Sequence, residues 1–330
     1  MLLRKILIIQ TAFIGDVVLA TGVLEKLQKF YPNAEIDFLL RKGNEGLLQG
    51  HPFLNQVIIW DKKEGKYPNL WKILRQIRES GYDLVVNLQR FAASGVLTAF
   101  SGAKLKYGYD KNPISFLYSK SFPHPIGKKG DSEYLHEIQR NHSVIAEFTD
   151  SIPSKPKLYP SDTDFDIAKP YKTVNYITIS PASVWFTKQY PKEKWIQLIN
   201  SFPGNNAIYL TGGKSDITLC EEIKKVSVHP NIEILAGKLT FLQTAALMKD
   251  AVMNYTNDSA PLHFASAMDA PVTAVFCSTI PEFGFGPLST ISHIAQIDYD
   301  LECRPCGLHG FKSCPKGHFK CAYEIEITST

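Results

Sequence analysis

The chain has 330 residues, 44% of them hydrophobic and 21% charged, the balance of a globular protein long enough for two domains with sizeable cores. Cores of that size need no disulfide staples, which excludes a small cystine-built scaffold. The formal net charge of +4 comes without a concentrated basic stripe; it tolerates anionic substrates or an anionic membrane surface and argues against a nucleic-acid partner.

Arg4 and Lys5 precede the apolar run Ile6 to Ile9, but Gln10 and Asp16 interrupt it. A buried first strand explains this pattern better than a signal peptide. No stretch reaches the ~18 uninterrupted apolar residues of a spanning helix. The expectation is a cytoplasmic protein, able to touch a membrane surface. Apolar positions at Val17, Ala20, Val23, Leu24, Leu27 and Phe30 predict a helix over 17–30, closed by Pro32. Strands follow at 35–40, 57–60 and 82–88, with a helix over 70–78 ended by Gly81 and a longer helix over 132–148.

Residues 152–170 carry Pro153, Pro156, Pro160 and Pro170 and little apolar periodicity. Residues 156–170 therefore read as a linker between domains 1–155 and 171–330. Beyond it, strands at 176–179, 207–210, 232–235, 251–255 and 272–276 alternate with helices at 192–202, 216–226, 241–248 and 262–268. Alternation on both sides of the linker predicts an α/β fold of two Rossmann-like parallel-sheet domains. Ligands of such sheets bind beyond the carboxyl ends of the strands, so the active site is expected in the cleft where the two domains face each other.

Three segments at strand ends could carry chemistry. In Gln10 to Asp16, Gly15 permits close backbone approach, and Asp16 falls in or just before the first helical turn. It reads either as a helix-capping carboxylate or as a general base. No GxGxxG is present, so a dehydrogenase-type dinucleotide site is not supported. In Ser180 to Pro191, Ser183 and Thr187 offer hydroxyls and Lys188 a point charge for phosphate. In Asn257 to His263, Asp258 and Ser259 suit a helix cap and Pro261 suits the first turn. This is an ordinary capped helix or a diphosphate site built on free N–H groups, with His263 donating. Asp258 would repel phosphate, so its carboxylate is expected to accept backbone N–H bonds and shape the loop. The tail spaces Cys303, Cys306, Cys314 and Cys321 with His309 and His318 between them. A structural zinc site, packed reduced thiols and an oxidation disulfide all remain open. Cys220 and Cys277 read as buried.

Taken in order, Ile14-Gly15-Asp16, Phe186 to Pro191, Asn257 to His263 and the tail from Cys303-Arg304-Pro305-Cys306 to Cys314-Pro315-Lys316-Gly317-His318 resemble the ADP-heptose:lipopolysaccharide heptosyltransferase family. The resemblance implies a glycosyltransferase-B architecture without a catalytic metal or cofactor. It implies an inverting transfer of heptose from ADP-heptose to a core acceptor, with Asp16 as general base and Lys188 neutralising the leaving diphosphate. By the same resemblance Ser183 lies near a phosphate-binding hydroxyl, and Ser259, Ala260 and His263 hold the diphosphate. Asp216 or Glu221 matches a ribose-binding carboxylate only loosely. The family usually has glycine where this chain has Ala260. The implied acceptor is a lipid-anchored core oligosaccharide at the cytoplasmic face of the inner membrane, with Arg4, Lys5, Lys62, Lys63, Lys66, Lys128 and Lys129 as candidates to meet its phosphates or lipid headgroups. Two other readings compete. A nucleotide-sugar epimerase needs an acid–base pair that does not stand out here, and a non-catalytic nucleotide- or sugar-binding scaffold would not need both Asp16 and Lys188.

Overall fold

The first strand is apolar on consecutive positions, not on alternate ones. Ile6 to Ile9 are all fully buried, as strands covered on both faces must be. The computed structural model describes residues 3–63 and 65–327, the side chains of Lys66 and Tyr67 excepted. The first part of the chain gives β1 (Lys5–Ile9), α1 (Ile14–Phe30), β2 (Glu35–Arg41), β3 (Gln56–Trp60), α2 (Lys66–Ser80), β4 (Leu84–Asn87), α3 (Ala92–Ala99), β5 (Leu105–Tyr109), β6 (Lys120–Phe122) and α4 (Glu137–Ser143). Its six strands pair in the order β3-β2-β1-β4-β5-β6, all parallel, with Ile8 opposite Phe38 on one side and Val86 on the other. Leu70, Ile73, Leu74 and Ile77 of α2 recur at helical spacing and pack on Leu39, Ile58 and Trp60 of the sheet. Gly81 ends that helix in the left-handed region at φ 65°, where it alone has no Cβ penalty.

The second part gives α5 (Asp162–Ala168), β7 (Tyr176–Ser180), α6 (Lys192–Ser201), β8 (Ala207–Leu210), α7 (Ile217–Val226), β9 (Ile232–Ile234), α8 (Phe241–Lys249), β10 (Met253–Asn257), α9 (Ala260–Met268), β11 (Val272–Val275), β12 (Ser292–Ala295) and α10 (Lys320–Tyr323). Its sheet runs β12-β11-β10-β7-β8-β9, again all parallel. Counted from its own first strand this is the order of the first sheet, so both units share one doubly wound topology. Trp195 and Ile199 of α6 lie fully buried against Ile177, Ile179 and Ile208. Among the described residues no helix is long and apolar enough to cross a membrane.

One expectation fails. The helix over 132–148 shrinks to α4 and a 3-10 turn at Ala146–Phe148. His136 closes the helix start, because its Nδ1 accepts the Ile138 N–H at 3.2 Å. The stretch 156–170, expected as the linker, contains the boundary between the two units at Tyr159 and Pro160, and it is anchored on both sides of that point. Lys157 N–H donates to Thr21 Oγ1 (2.9 Å) and the Tyr159 hydroxyl to Glu25 (2.9 Å), which fastens this stretch to α1. A capping box of Ser161 and Asp164 then starts α5, through Asp164 N–H to Ser161 Oγ (3.2 Å) and Ser161 N–H to Asp164 Oδ2 (2.9 Å). The chain divides into Met1–Ile126 with Leu135–Tyr159, and Gly127–Tyr134 with Pro160–Thr330. An eight-residue strap thus leaves the first unit and packs with the second. Its two stems are held by Arg140, which donates to the carbonyls of Pro125 (3.3 Å) and Leu135. Glu137 neutralises this fully buried guanidinium at 2.7 Å and accepts from His124 at 3.0 Å. Burial pushes the Glu137 pKa up, but His124 and Arg140 more than offset this and hold it low.

The packing of α1 on the segment after α4 is tight at one point. A Cβ on Gly22 would stand 2.5 Å from the Ser154 carbonyl oxygen, so backbone would have to move. Gly22→Ala is expected to lower unfolding stability by about 1–3 kcal/mol despite its better helix propensity. Urea titration checks it; a stabilised variant would show that the helix yields freely there.

Candidate functional site

The carboxyl ends of β7 and β10 are neighbours, with Ser180 opposite Thr256. The loop after one and the turn after the other therefore emerge together. Asn257 joins them. It is fully buried; its Oδ1 accepts the Tyr190 N–H at 2.8 Å, and its Nδ2 donates to the Pro181 carbonyl at 2.8 Å. Two motifs about seventy residues apart become one wall. On that wall Lys188 Nζ lies 2.6 Å from Asp258 Oδ2, and the same oxygen accepts the Thr279 hydroxyl at 2.6 Å. Asp258 was expected to take backbone N–H groups; its buried carboxylate instead takes an ammonium and a hydroxyl.

Ser259 occupies the N-cap of α9, but no side chain caps the helix. The Ser259 hydroxyl turns back to the Asn257 carbonyl at 3.3 Å. The first N–H groups of α9 are thus not consumed by a cap, and they are the positive end of the helix dipole. Ala260 and Pro261 form the first turn, and His263 follows on it, buried. Ser183 is half-buried and its carbonyl accepts from Gln189 (2.7 Å). Thr187 has a different use from the one expected. It is buried, and its hydroxyl accepts the Ser278 hydroxyl (3.0 Å) and the Phe311 N–H (2.8 Å). It fastens the loop to the cysteine tail.

In the first unit, Gly15 and Asp16 lie inside the first turn of α1, whose N-cap is Phe13. Asp16 is therefore three residues past the cap, and its Oδ2 accepts the Phe13 N–H at 3.1 Å. Its charge is stabilised there by the helix dipole. The loop before it is over-determined. Ala12 N–H donates to Gln10 Oε1 (3.2 Å), Asn44 Nδ2 to the Ala12 carbonyl (3.1 Å), and Lys62 Nζ to the carbonyl and hydroxyl of Thr11 (2.9 and 3.1 Å).

Lys62, expected as a candidate to meet acceptor phosphates or lipid headgroups, clamps the loop that carries Asp16. Lys5 pairs with Glu35 (3.1 Å) and Lys129 with Asp300. The side chain of Lys66 lies outside the described ones. Asp216 Oδ2 accepts the Gly213 N–H (2.7 Å), closing the turn after β8. Glu221 lines a cavity of about 380 Å³ with Lys214, Gly237 and Lys238. All six cysteines are free thiols, and Cys220 and Cys277 are buried. Cys303, Cys306, Cys314 and Cys321 line one cavity, although among the described residues no three groups stand ready to hold a metal.

A family model described as glycosyltransferase family 9 (heptosyltransferase) matches residues 70–308. The chain is 29% identical over 283 residues to lipopolysaccharide heptosyltransferase 3 of Escherichia coli, covering 81% of this chain and 82% of that one. It is 24% identical over 293 residues to lipopolysaccharide heptosyltransferase 1 of Campylobacter coli, covering 83% and 84%. Among solved structures, the E. coli ADP-heptose lps heptosyltransferase II superposes with a TM-score of 0.76 at 20% identity, over 93% of this chain and 92% of that one. A match across well over half of the chain, on two parallel-sheet units of common topology, makes this protein a member of glycosyltransferase family 9, the heptosyltransferases, with the glycosyltransferase-B fold.

Proposed function

We propose that this chain transfers heptose from ADP-heptose to a lipid-anchored lipopolysaccharide core acceptor, inverting the anomeric centre without a metal. The observation that carries this reading is the Lys188–Asp258 contact of 2.6 Å beside the uncapped start of α9. An ammonium has three donors. Asp258 takes one and fixes the side chain, and the others serve the diphosphate oxygens. The N–H groups at Ser259 and Ala260 and the His263 ring add to that anion site. As the bond from the anomeric carbon to the leaving oxygen breaks, negative charge grows on the diphosphate, and these preorganised donors stabilise it where it develops. Asp16 takes the proton of the acceptor hydroxyl, whose oxygen attacks the opposite face of the sugar. The names of the curated relatives support the donor and acceptor classes, and the net charge of +4 suits an anionic acceptor at the cytoplasmic face of the inner membrane.

The test is transfer from ADP-heptose to a heptose-deficient core acceptor. Asp16→Asn is expected to lower kcat by roughly 10²–10⁴-fold with ADP affinity unchanged. An active Asp16→Asn enzyme would remove the general base from this mechanism. Lys188→Met is expected to lower kcat by roughly 10²–10³-fold, the cost of one charge-stabilising donor, and to weaken ADP binding seen by calorimetry. The anomeric coupling in the NMR spectrum of the product decides inversion against retention. Tight ADP binding with no turnover by the wild type would identify a binding scaffold.

A further inference from the structure

Large apolar side chains left in solvent are ordinary one at a time and informative when neighbouring elements offer them together. In the first unit they gather at one edge of the sheet. β1, β4 and β5 are consecutive in that sheet, and the chain leaving the carboxyl end of each exposes an apolar residue. Phe13 follows β1, Phe91 (68% exposed) follows β4, and Phe116 (80%) and Leu117 follow β5. The reaction proposed above uses none of these side chains.

Phe116 and Leu117 do not sit on a loose loop. Asn112 is buried; its Nδ2 donates to the carbonyls of Gln89 (3.1 Å) and Phe91 (3.0 Å), and its Oδ1 accepts the Ile114 N–H (3.1 Å). One carboxamide thus locks the segment after β5 to the segment after β4. Ser115 N–H donates to the Asn112 carbonyl (2.9 Å), Ser115 Oγ to the Asp110 carbonyl (2.9 Å) and Leu117 N–H to the Ile114 carbonyl (3.0 Å), which closes a 3-10 turn at Ser115–Leu117. A Cβ on Gly95 of α3 would collide with Asn112 Oδ1, so the helix after Phe91 is fitted to this turn as well. Bonding of this density fixes the backbone, and the fixed backbone holds Phe116 outward.

Cations share this edge. Arg41 ends β2, the neighbour of β1, and its guanidinium lies over the Phe13 ring at 5.1 Å. Arg90 precedes Phe91, and the exposed Lys111 lies just before the 3-10 turn. Lys42, Lys104 and Lys120 of the same unit are taken by Asp61, Asp83 and Glu147; among the described residues Arg41, Arg90 and Lys111 carry no such ion pair. Between residues 110 and 118 the only carboxylate is Asp110. Lys5, a cation that the sequence offered for lipid headgroups, begins β1 and so lies at the opposite edge of the sheet.

Apolar points rimmed by cations fit an anionic bilayer, where rings enter the boundary between headgroups and acyl chains and cations meet lipid phosphates. A second copy of this chain fits less well, because a two-fold contact sets these cations against their own copies. We propose that this edge of the first unit docks on an anionic phospholipid surface through Phe91, Phe116 and Leu117, with Arg41, Arg90 and Lys111 as its charged rim. The choice of a membrane rests on the lipid-anchored acceptor of the function proposed above. Asp16 lies in the first turn of α1, at the same edge, so docking brings it to the bilayer that carries the acceptor.

The experiment uses the full chain and vesicles that hold no acceptor, so it does not depend on transfer. Vesicles of phosphatidylcholine mixed with phosphatidylglycerol are expected to sediment the protein, and vesicles of phosphatidylcholine alone to sediment far less. Phe91→Ser combined with Phe116→Ser is expected to lower partitioning onto the mixed vesicles roughly 10–100-fold, with the melting temperature unchanged because both side chains are exposed. Lys111→Glu is expected to lower it roughly 5–30-fold, while Lys225→Glu, the same charge change on α7, leaves it unchanged. Wild-type protein that stays in solution beside the mixed vesicles would overturn the proposal even if it transfers heptose. Vesicle binding without transfer would support it and count against the transferase reading instead. A concentration-dependent dimer abolished by Phe116→Ser would assign the face to a second copy. Loss of transfer to a soluble, deacylated acceptor with vesicle binding intact would assign the rings to the sugar. Either of these last two results overturns the proposal.

Discussion

A buried carboxamide must use both of its ends, and Asn257 uses both on the loop that follows β7. The loop's far end is set by Tyr190, whose ring meets Trp195 edge-on at 5.0 Å and whose hydroxyl donates to the Ile325 carbonyl at 2.9 Å. The loop therefore inherits the rigidity of the core below it. Lys188 lies within this anchored stretch, between Pro181 and Tyr190, and its charge is directed by Asp258, the residue after Asn257. The anchored loop, the ion pair and the start of α9 thus meet beside one amide at the end of one strand.

The first unit solves a similar problem with different groups. The loop between β1 and α1 has a buried amide of its own, Gln10, whose Nε2 donates to the Leu88 carbonyl after β4 at 3.3 Å while its Oε1 accepts the Ala12 N–H at 3.2 Å. Asn44 and Lys62, from the segments after β2 and β3, tie the same loop. Lys62 also lies over the Trp60 ring at 4.7 Å, so its stem is packed before its ammonium reaches Thr11. Asp16 is thus held by a helix turn on one side and this loop on the other.

Much of the architecture could be read from the chain because parallel strands buried on both faces are written as short apolar runs, and Gly81, Pro32 and Pro261 punctuate them. The motifs at the strand ends could be read for the same reason. What could not be read was pairing across distance. Asp258 meets Thr279 and Lys188, and Lys62 meets Thr11, over separations that no local spacing encodes. β5, β6 and β12 were missed because Lys106, Gly108, Lys120 and His293 break their apolar runs, and their burial comes from neighbours in the sheet. Within the stretch read as a linker, the prolines masked the box of Ser161 and Asp164 that starts α5.

The strap of Gly127–Tyr134 ties the order of synthesis to the order of assembly. The first unit includes α4 and the stretch to Tyr159, so nearly all of it can form as soon as that residue is made. The strap cannot settle then. Gly127 packs against the Glu282 carbonyl, and Lys129 bonds Asp300 and the Leu301 carbonyl, residues that appear more than a hundred positions later. Arg140 already grips both stems, so the growing chain carries a preformed hoop whose seat has yet to be built. A break at Tyr159, the obvious place to separate the units, would leave that hoop without its seat and strip the second unit of eight of its own residues.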